Sequence, residues 1–219
     1  MTTARTSFLF YFGLLVSSVG SLAFTTSLIA FMLKSGFALS TISLILGLQR
    51  LVPILAMGIW GQHTDRLNPK MTVVISEIVA AICSLALLKL WSGTATIYPV
   101  FLFVCVLRAF MMSFQLGSRS KISKLLGNGE YSSNSKHAIW LMKATQGATL
   151  FGGIVAFFLI KYMTLEAAMI LDLVTFVLNG AIIFLLPLET LPAGDTAESI
   201  ESWSKKFKDL FRFNKKAAL

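Results

Sequence analysis

Six apolar runs, each near twenty residues long and each closed by a charged or turn-forming segment, decide most of what this chain can fold into. A helix of about 20 residues rises about 30 Å, the thickness of a bilayer's hydrocarbon core. The runs cover residues 8–33, 40–60, 71–91, 98–116, 137–160 and 164–186. The first exceeds the roughly 7–15 residues of a signal-peptide core and five more follow it, so it reads as a retained helix. The expected fold is an all-α membrane protein. A bundle of six transmembrane helices fills residues 1–187, and a cytoplasmic linker with an amphipathic basic helix fills 188–219.

Charge supports that reading. Only 13% of the residues are charged, about half the share in soluble proteins. A net charge of +9 would suit a nucleic-acid binder, but the basic residues collect between the apolar runs, as in inner-membrane proteins, so no nucleic-acid partner is expected. Cys83 and Cys105 fall inside apolar runs and read as packing residues. Neither metal-ligand spacing, nor a nucleotide loop, nor a nucleophile–base pattern occurs, so no metal, cofactor or enzymatic activity is expected.

Charged residues inside the runs are the first site candidates, because each costs several kcal/mol at mid-bilayer unless it faces protein or water. Gln49 and Arg50 lie near the middle of the second run, with Pro53 expected to kink that helix. Arg50 reads either as a pathway residue or as half of a buried pair. Glu77, two turns into the third run, reads as a proton-linked acid or as a partner of a basic loop. Arg108 stands at the centre of the fourth run, and Asp172 about two turns into the sixth. Lys143 in the fifth run is close enough to the inner surface to snorkel there. Gly13 and Gly20, with Ser17, Ser18, Thr25 and Thr26, read as a helix–helix interface or as the lining of a polar path. Arg119, Lys121, Lys124 and Lys136 are expected on a polar loop over 117–136, broken by a short surface helix at Ser123-Lys124-Leu125-Leu126 that ends at Gly127, and forming a basic cytoplasmic rim.

The most informative polar segment is Gly61-Gln62-His63-Thr64-Asp65-Arg66-Leu67-Asn68-Pro69-Lys70, expected as a short hinge between two antiparallel spans, with Asn68 and Pro69 as turn formers. Gly61, Asp65, Arg66 and Lys70 match the loop signature of the major facilitator superfamily, with Asn68 in place of its second Gly. The segment resembles the branch of that family containing macrolide and enterobactin exporters. Arg108 matches the helix-four arginine of its efflux members, although Met111 and Met112 replace the Gln-Gly pair. Gly152 and Gly153 match the Gly-Gly pair of the helix-five motif of its antiporters, with Ala148 and Thr149 in place of the Gly-Pro, and together with Gly147 they read as helix-packing residues. The resemblance implies one six-helix half of a twelve-helix transporter, built as two inverted three-helix repeats. It also implies that Asp65 and Arg66 latch the cytoplasmic side, and that substrate binds between this half and another.

With the N-terminus inside, cytoplasmic segments hold 13 of the 19 Lys and Arg residues, the outer side 3 and the spans 3. The positive-inside rule then puts both termini in the cytoplasm, as expected for a bacterial inner-membrane protein. In the tail, Trp203 and Phe207 alternate at helical spacing with Lys205, Lys206 and Arg212, the pattern of a helix lying on an anionic leaflet. The expected function is efflux of a small molecule by alternating access with a second half, a homodimer partner or a larger membrane complex. The alternative is a non-transporting subunit that uses the half-bundle as a scaffold.

Overall fold

The computed structural model describes residues 3–91, 98–126 and 131–187, with backbone alone at 3–4, 58–66, 98–99 and 131–134. Six helices occupy them: α1 (Thr3–Lys34), α2 (Leu39–Arg66), α3 (Pro69–Trp91), α4 (Tyr98–Leu126), α5 (Tyr131–Tyr162) and α6 (Leu165–Leu185). This is the all-helical architecture expected of the apolar runs, with six helices long and apolar enough to cross a membrane.

The helices end where local chemistry stops them. Gly36, at φ 77°, takes the left-handed position after α1. There the Phe37 amide reaches the Met32 carbonyl and the Gly36 amide reaches Leu33, a Schellman cap. Asn68 caps α3, its side-chain oxygen accepting from the amides of Lys70 (3.0 Å) and Met71 (3.4 Å). Pro69 follows at the first helical position, where its missing N–H costs nothing. Thr164 caps α6 in the same way, accepting from Ala167.

Two expectations need correction. The polar hinge 61–70 is helical through Arg66, leaving only Leu67 and Asn68 between α2 and α3. The Asn-Pro pair is a helix start rather than the middle of a loop, so the chain turns later and more tightly. The loop 117–136 is also mostly helix, with α4 running on to Leu126 and α5 beginning at Tyr131. Ser118, Arg119, Ile122 and Ser123 are buried on one face of that extension, so tertiary packing holds helical a segment too polar to be read as a span.

α1 packs along α5 and α6, α4 packs along α2 and α3, and α3 packs along α6; lighter contacts join α4 to α5, α5 to α6 and α1 to α2. Exchanging α1 with α4, α2 with α5 and α3 with α6 maps the α3–α6 contact onto itself and the others onto one another, except the contact between α5 and α6, which has no equally strong α2–α3 counterpart among the described residues. Close approach of α1 to its neighbours depends on glycine. A side chain at Gly20 would run into Thr175 of α6, and one at Gly152 of α5 would come within 2.9 Å of Leu22. Gly147 faces Leu15 in the same way, whereas Gly153 meets only open space. Gly147 and Gly152 are thus packing residues, and Gly153 is not, because it faces away from α1.

The interior divides along the helix axes. Toward the ends of α1 and α3 lies an apolar core of Phe24, Leu28, Met32, Ile45, Leu87 and Met169, with Cys83 and Cys105 among them. A smaller apolar cluster around Phe10, Val73, Ile122 and Ile183 closes the opposite end. Between the two lies a layer of buried charge.

Candidate functional site

Every residue of that layer comes from α1, α3, α4 or α6, in two tiers. In the tier nearer the large apolar core, Arg108 of α4 donates through Nη2 to Asp172 Oδ1 of α6 at 2.7 Å. Ser84 of α3 donates to the other carboxylate oxygen at 2.6 Å, and Ser21 of α1 lies 3.4 Å from the same Arg108 nitrogen. The guanidinium also lies over the rings of Phe24 (4.4 Å) and Phe176 (5.3 Å), a cation–π contact that shields it further. In the other tier Arg119 of α4 donates to Glu77 Oε1 of α3 at 2.6 Å. Asn179 of α6 donates to the same oxygen at 2.6 Å, and Ser17 of α1 donates to Oε2 at 3.3 Å. Each tier takes one residue from each of the four helices.

Helical spacing explains why the tiers stack. Ser17 and Ser21 are four residues apart, Glu77 and Ser84 seven, Asp172 and Asn179 seven, and Arg108 and Arg119 eleven; each spacing returns to the same helix face. In α3 and α6 alike, an acid stands about two turns into the helix and a hydrogen-bonding residue two turns further on. Tyr11 extends this polar column past Glu77, with its hydroxyl 3.1 Å from Ser123 and 2.9 Å from His137 Nδ1.

Of the sequence candidates, the column gathers Arg108, Asp172 and Glu77. Glu77 has its basic partner, but that partner is Arg119, which was expected on the cytoplasmic rim and is instead buried in the core. The eleven-residue spacing from Arg108 was the signal that places Arg119 on the same face of α4. Arg108 itself faces the bundle interior, between α1 and α6.

Arg50 and Gln49 do not join the column. Arg50 is exposed near the middle of the apolar stretch of α2, on a stripe with Ser43 and Gly47, and Gln49 is partly buried beside it. Pro53 sits inside unbroken helix and carries no N–H, so the Gln49 carbonyl lacks its usual donor four residues on. On α5, Lys143 and Gln146 are exposed as well, and the Lys143 ammonium lies 5.1 Å from the Trp140 ring, toward the start of the helix. By contrast, the exposed positions within α6 are Ile170, Val174, Val177, Leu178, Ala181, Phe184 and Leu185, every one apolar. On α3 they are Met71, Ile75, Ile78, Ile82 and Leu85, then Lys89 at the helix end.

Lys70 turns inward. Its ammonium donates to the Leu186 carbonyl at 2.7 Å and lies over the Phe184 ring, joining the start of α3 to the end of α6. Gly61, Asp65 and Arg66 fall in the last turns of α2, where the backbone alone is described. Trp203, Lys205, Lys206, Phe207 and Arg212 lie outside the described residues, with the linker and tail over 188–219. Among the described residues, no three His, Cys, Asp or Glu side chains converge on a metal-sized site. A scan against protein-family models finds no match, and no curated protein or solved structure matches the chain.

Proposed function

We propose that the chain is one six-helix half of a membrane transporter of the major facilitator type, working in efflux by alternating access against a second six-helix half. The observation that carries this reading is the asymmetry of its outer surface. Arg50, Lys143 and Gln146 are exposed within apolar stretches of α2 and α5, while α3 and α6 expose hydrocarbon. An arginine at mid-bilayer is unfavourable against lipid. The α2/α5 side is therefore covered by protein or water, and the α3/α6 side by lipid.

The contact pattern supports the same reading. Apart from the light α5–α6 contact, its symmetry under exchange of α1–α3 with α4–α6 is what two inverted three-helix repeats produce, since with three helices per repeat each helix runs opposite to its counterpart. In this reading the membrane is a bacterial inner membrane, both termini are cytoplasmic and Tyr11 lies toward the cytoplasm. Asp65 and Arg66 latch the cytoplasmic side, and transport unaffected by Asp65→Asn would remove that role. The open face carries Lys143 and Gln146 on α5 with no exposed acid among the described residues within the spans, which favours an anionic or zwitterionic substrate.

A scaffold subunit is the second reading, and one observation favours it: Arg108 is engaged on both sides within its own bundle, by Asp172 and by two aromatic rings. Cysteine labelling in native membranes separates the two. With buried Cys83 and Cys105 setting the background, Gln146→Cys and Thr149→Cys are expected to react with a membrane-impermeant maleimide. Ile78→Cys and Val177→Cys are expected to stay inert. Four inert positions would exclude a water-accessible path along α5 and leave the scaffold.

A further inference from the structure

The exposed face of α2 and α5 also specifies what covers it, and this inference rests on the transporter reading above. Ser40, Ser43, Gly47, Arg50 and Ile54 form one stripe along α2, and all are exposed. Among the described residues Arg50 has no hydrogen-bonding or ionic partner, whereas Thr145 and Thr149 on α5 bond back to the carbonyls of Leu141 and Thr145. Arg50 is thus the strongest unmet polar group on this side. A guanidinium has five N–H donors and no acceptor, so it asks for a carboxylate or a similar acceptor.

A second copy of this chain does not offer one. Of its ten Asp and Glu residues, only Glu77 and Asp172 lie in mid-span, and both are fully buried and already hold arginines. Glu166 stands in the first turn of α6, and Asp65 lies near the end of α2, beyond its apolar stretch. The other six, Glu130, Glu189, Asp195, Glu198, Glu201 and Asp209, fall outside the apolar runs. Two copies meeting through α2 and α5 would bring Arg50 and Lys143 of each toward the other with no embedded acid between them. Like charges brought together out of water repel strongly.

We propose that the α2/α5 face docks a helical bundle of different sequence, and that this partner sets a membrane-embedded carboxylate against Arg50. The small residues Ser43 and Gly47, less than two turns before Arg50, allow a partner helix to approach closely enough for that pair to form. Lys143, near one end of its span, is a weaker determinant because its long side chain reaches toward the interface.

The test uses the whole protein in its native membrane. Ile54 is replaced with a photo-crosslinking amino acid, with Ile78 on α3 as the lipid-facing control, and an isotopically heavy copy is co-expressed to reveal self-association. The expected product at position 54 is a peptide that is not part of residues 1–219 and that carries an Asp or Glu within an apolar run. Arg50→Leu, which makes insertion of α2 easier, is expected to lower the yield at least about tenfold. Exchanging charge, with Arg50→Glu and the partner's acid replaced by Arg, is expected to restore it.

Links to the heavy copy, a partner peptide without an acid, a product at neither position, or an unchanged yield in Arg50→Leu would each overturn the proposal. Self-links would do so while leaving a homodimeric transporter standing. An acid-bearing partner that is no six-helix half would sustain this inference and sink the transporter reading.

Discussion

The charges of this molecule fall into two regions that solve the same problem in opposite ways. In the α1/α3/α4/α6 interior each arginine has a carboxylate at 2.6–2.7 Å, and each carboxylate has at least one further donor. On the α2/α5 surface Arg50 has nothing comparable among the described residues. The first region pairs its opposite charges within one bundle, although Arg108 Nε, Arg119 Nε and Asn179 Oδ1 keep no hydrogen-bond partner there, and its ion pairs specify how four helices fit. The second, on the proposal above, is met by a partner. A charge inside a membrane therefore reports structure or interaction according to whether its partner lies in the same bundle.

Breaking the interior pairs is the most direct attack on that contrast. Asp172→Leu leaves Arg108 charged and buried, and such losses cost about 3–5 kcal/mol. Thermal unfolding of the purified protein should show this as the largest destabilisation, largely relieved by adding Arg108→Met. Glu77→Leu is expected to cost less, because Arg119 lies closer to the helix end and its side chain keeps 11% exposure. Equal losses from the two acids would erase the distinction between the tiers.

Packing substitutions come next. Gly20→Val drives a branched side chain into Thr175 and should cost about 1–3 kcal/mol through overpacking. Gly153→Ala, one position from the close contact at Gly152, should be neutral or slightly stabilising in the same unfolding assay. The smallest effect sharpens the comparison most: Arg50→Leu should leave the unfolding of the isolated bundle unchanged while its assembly in native membranes is lost. A large stability loss from Arg50→Leu would place that arginine in the first region instead.

The sequence made the six helices legible because twenty-residue apolar runs have few other fates. It made Arg108, Asp172 and Glu77 visible for the same reason, since charge stands out against hydrocarbon. Their pairing was harder to read. Asp172 lies 64 residues from Arg108, and Arg119 lies 42 residues from Glu77. Such contacts depend on how α3 and α6 meet α4, which no local pattern encodes. Arg119 was misplaced because the polar residues around it, Ser118, Ser120 and Lys121, look like a loop. What makes them helical is burial of one face against neighbours whose positions were unknown. Gly152 and Gly153 show the same limit, because adjacent glycines look equivalent until the direction of α1 is fixed.

The pairing of Arg108 with Asp172 also sets a timetable for biogenesis. Ribosomes extend chains at roughly 5–20 residues per second, so the 64 residues between the two take about 3–13 s to synthesise. Throughout that interval α4 has emerged with its arginine while α6 does not yet exist. Glu77 waits in the same way, for a shorter time, until Arg119 arrives. The insertion machinery therefore has to keep α4 beside itself, or at the wet edge of the membrane, until the last helix of the bundle is delivered.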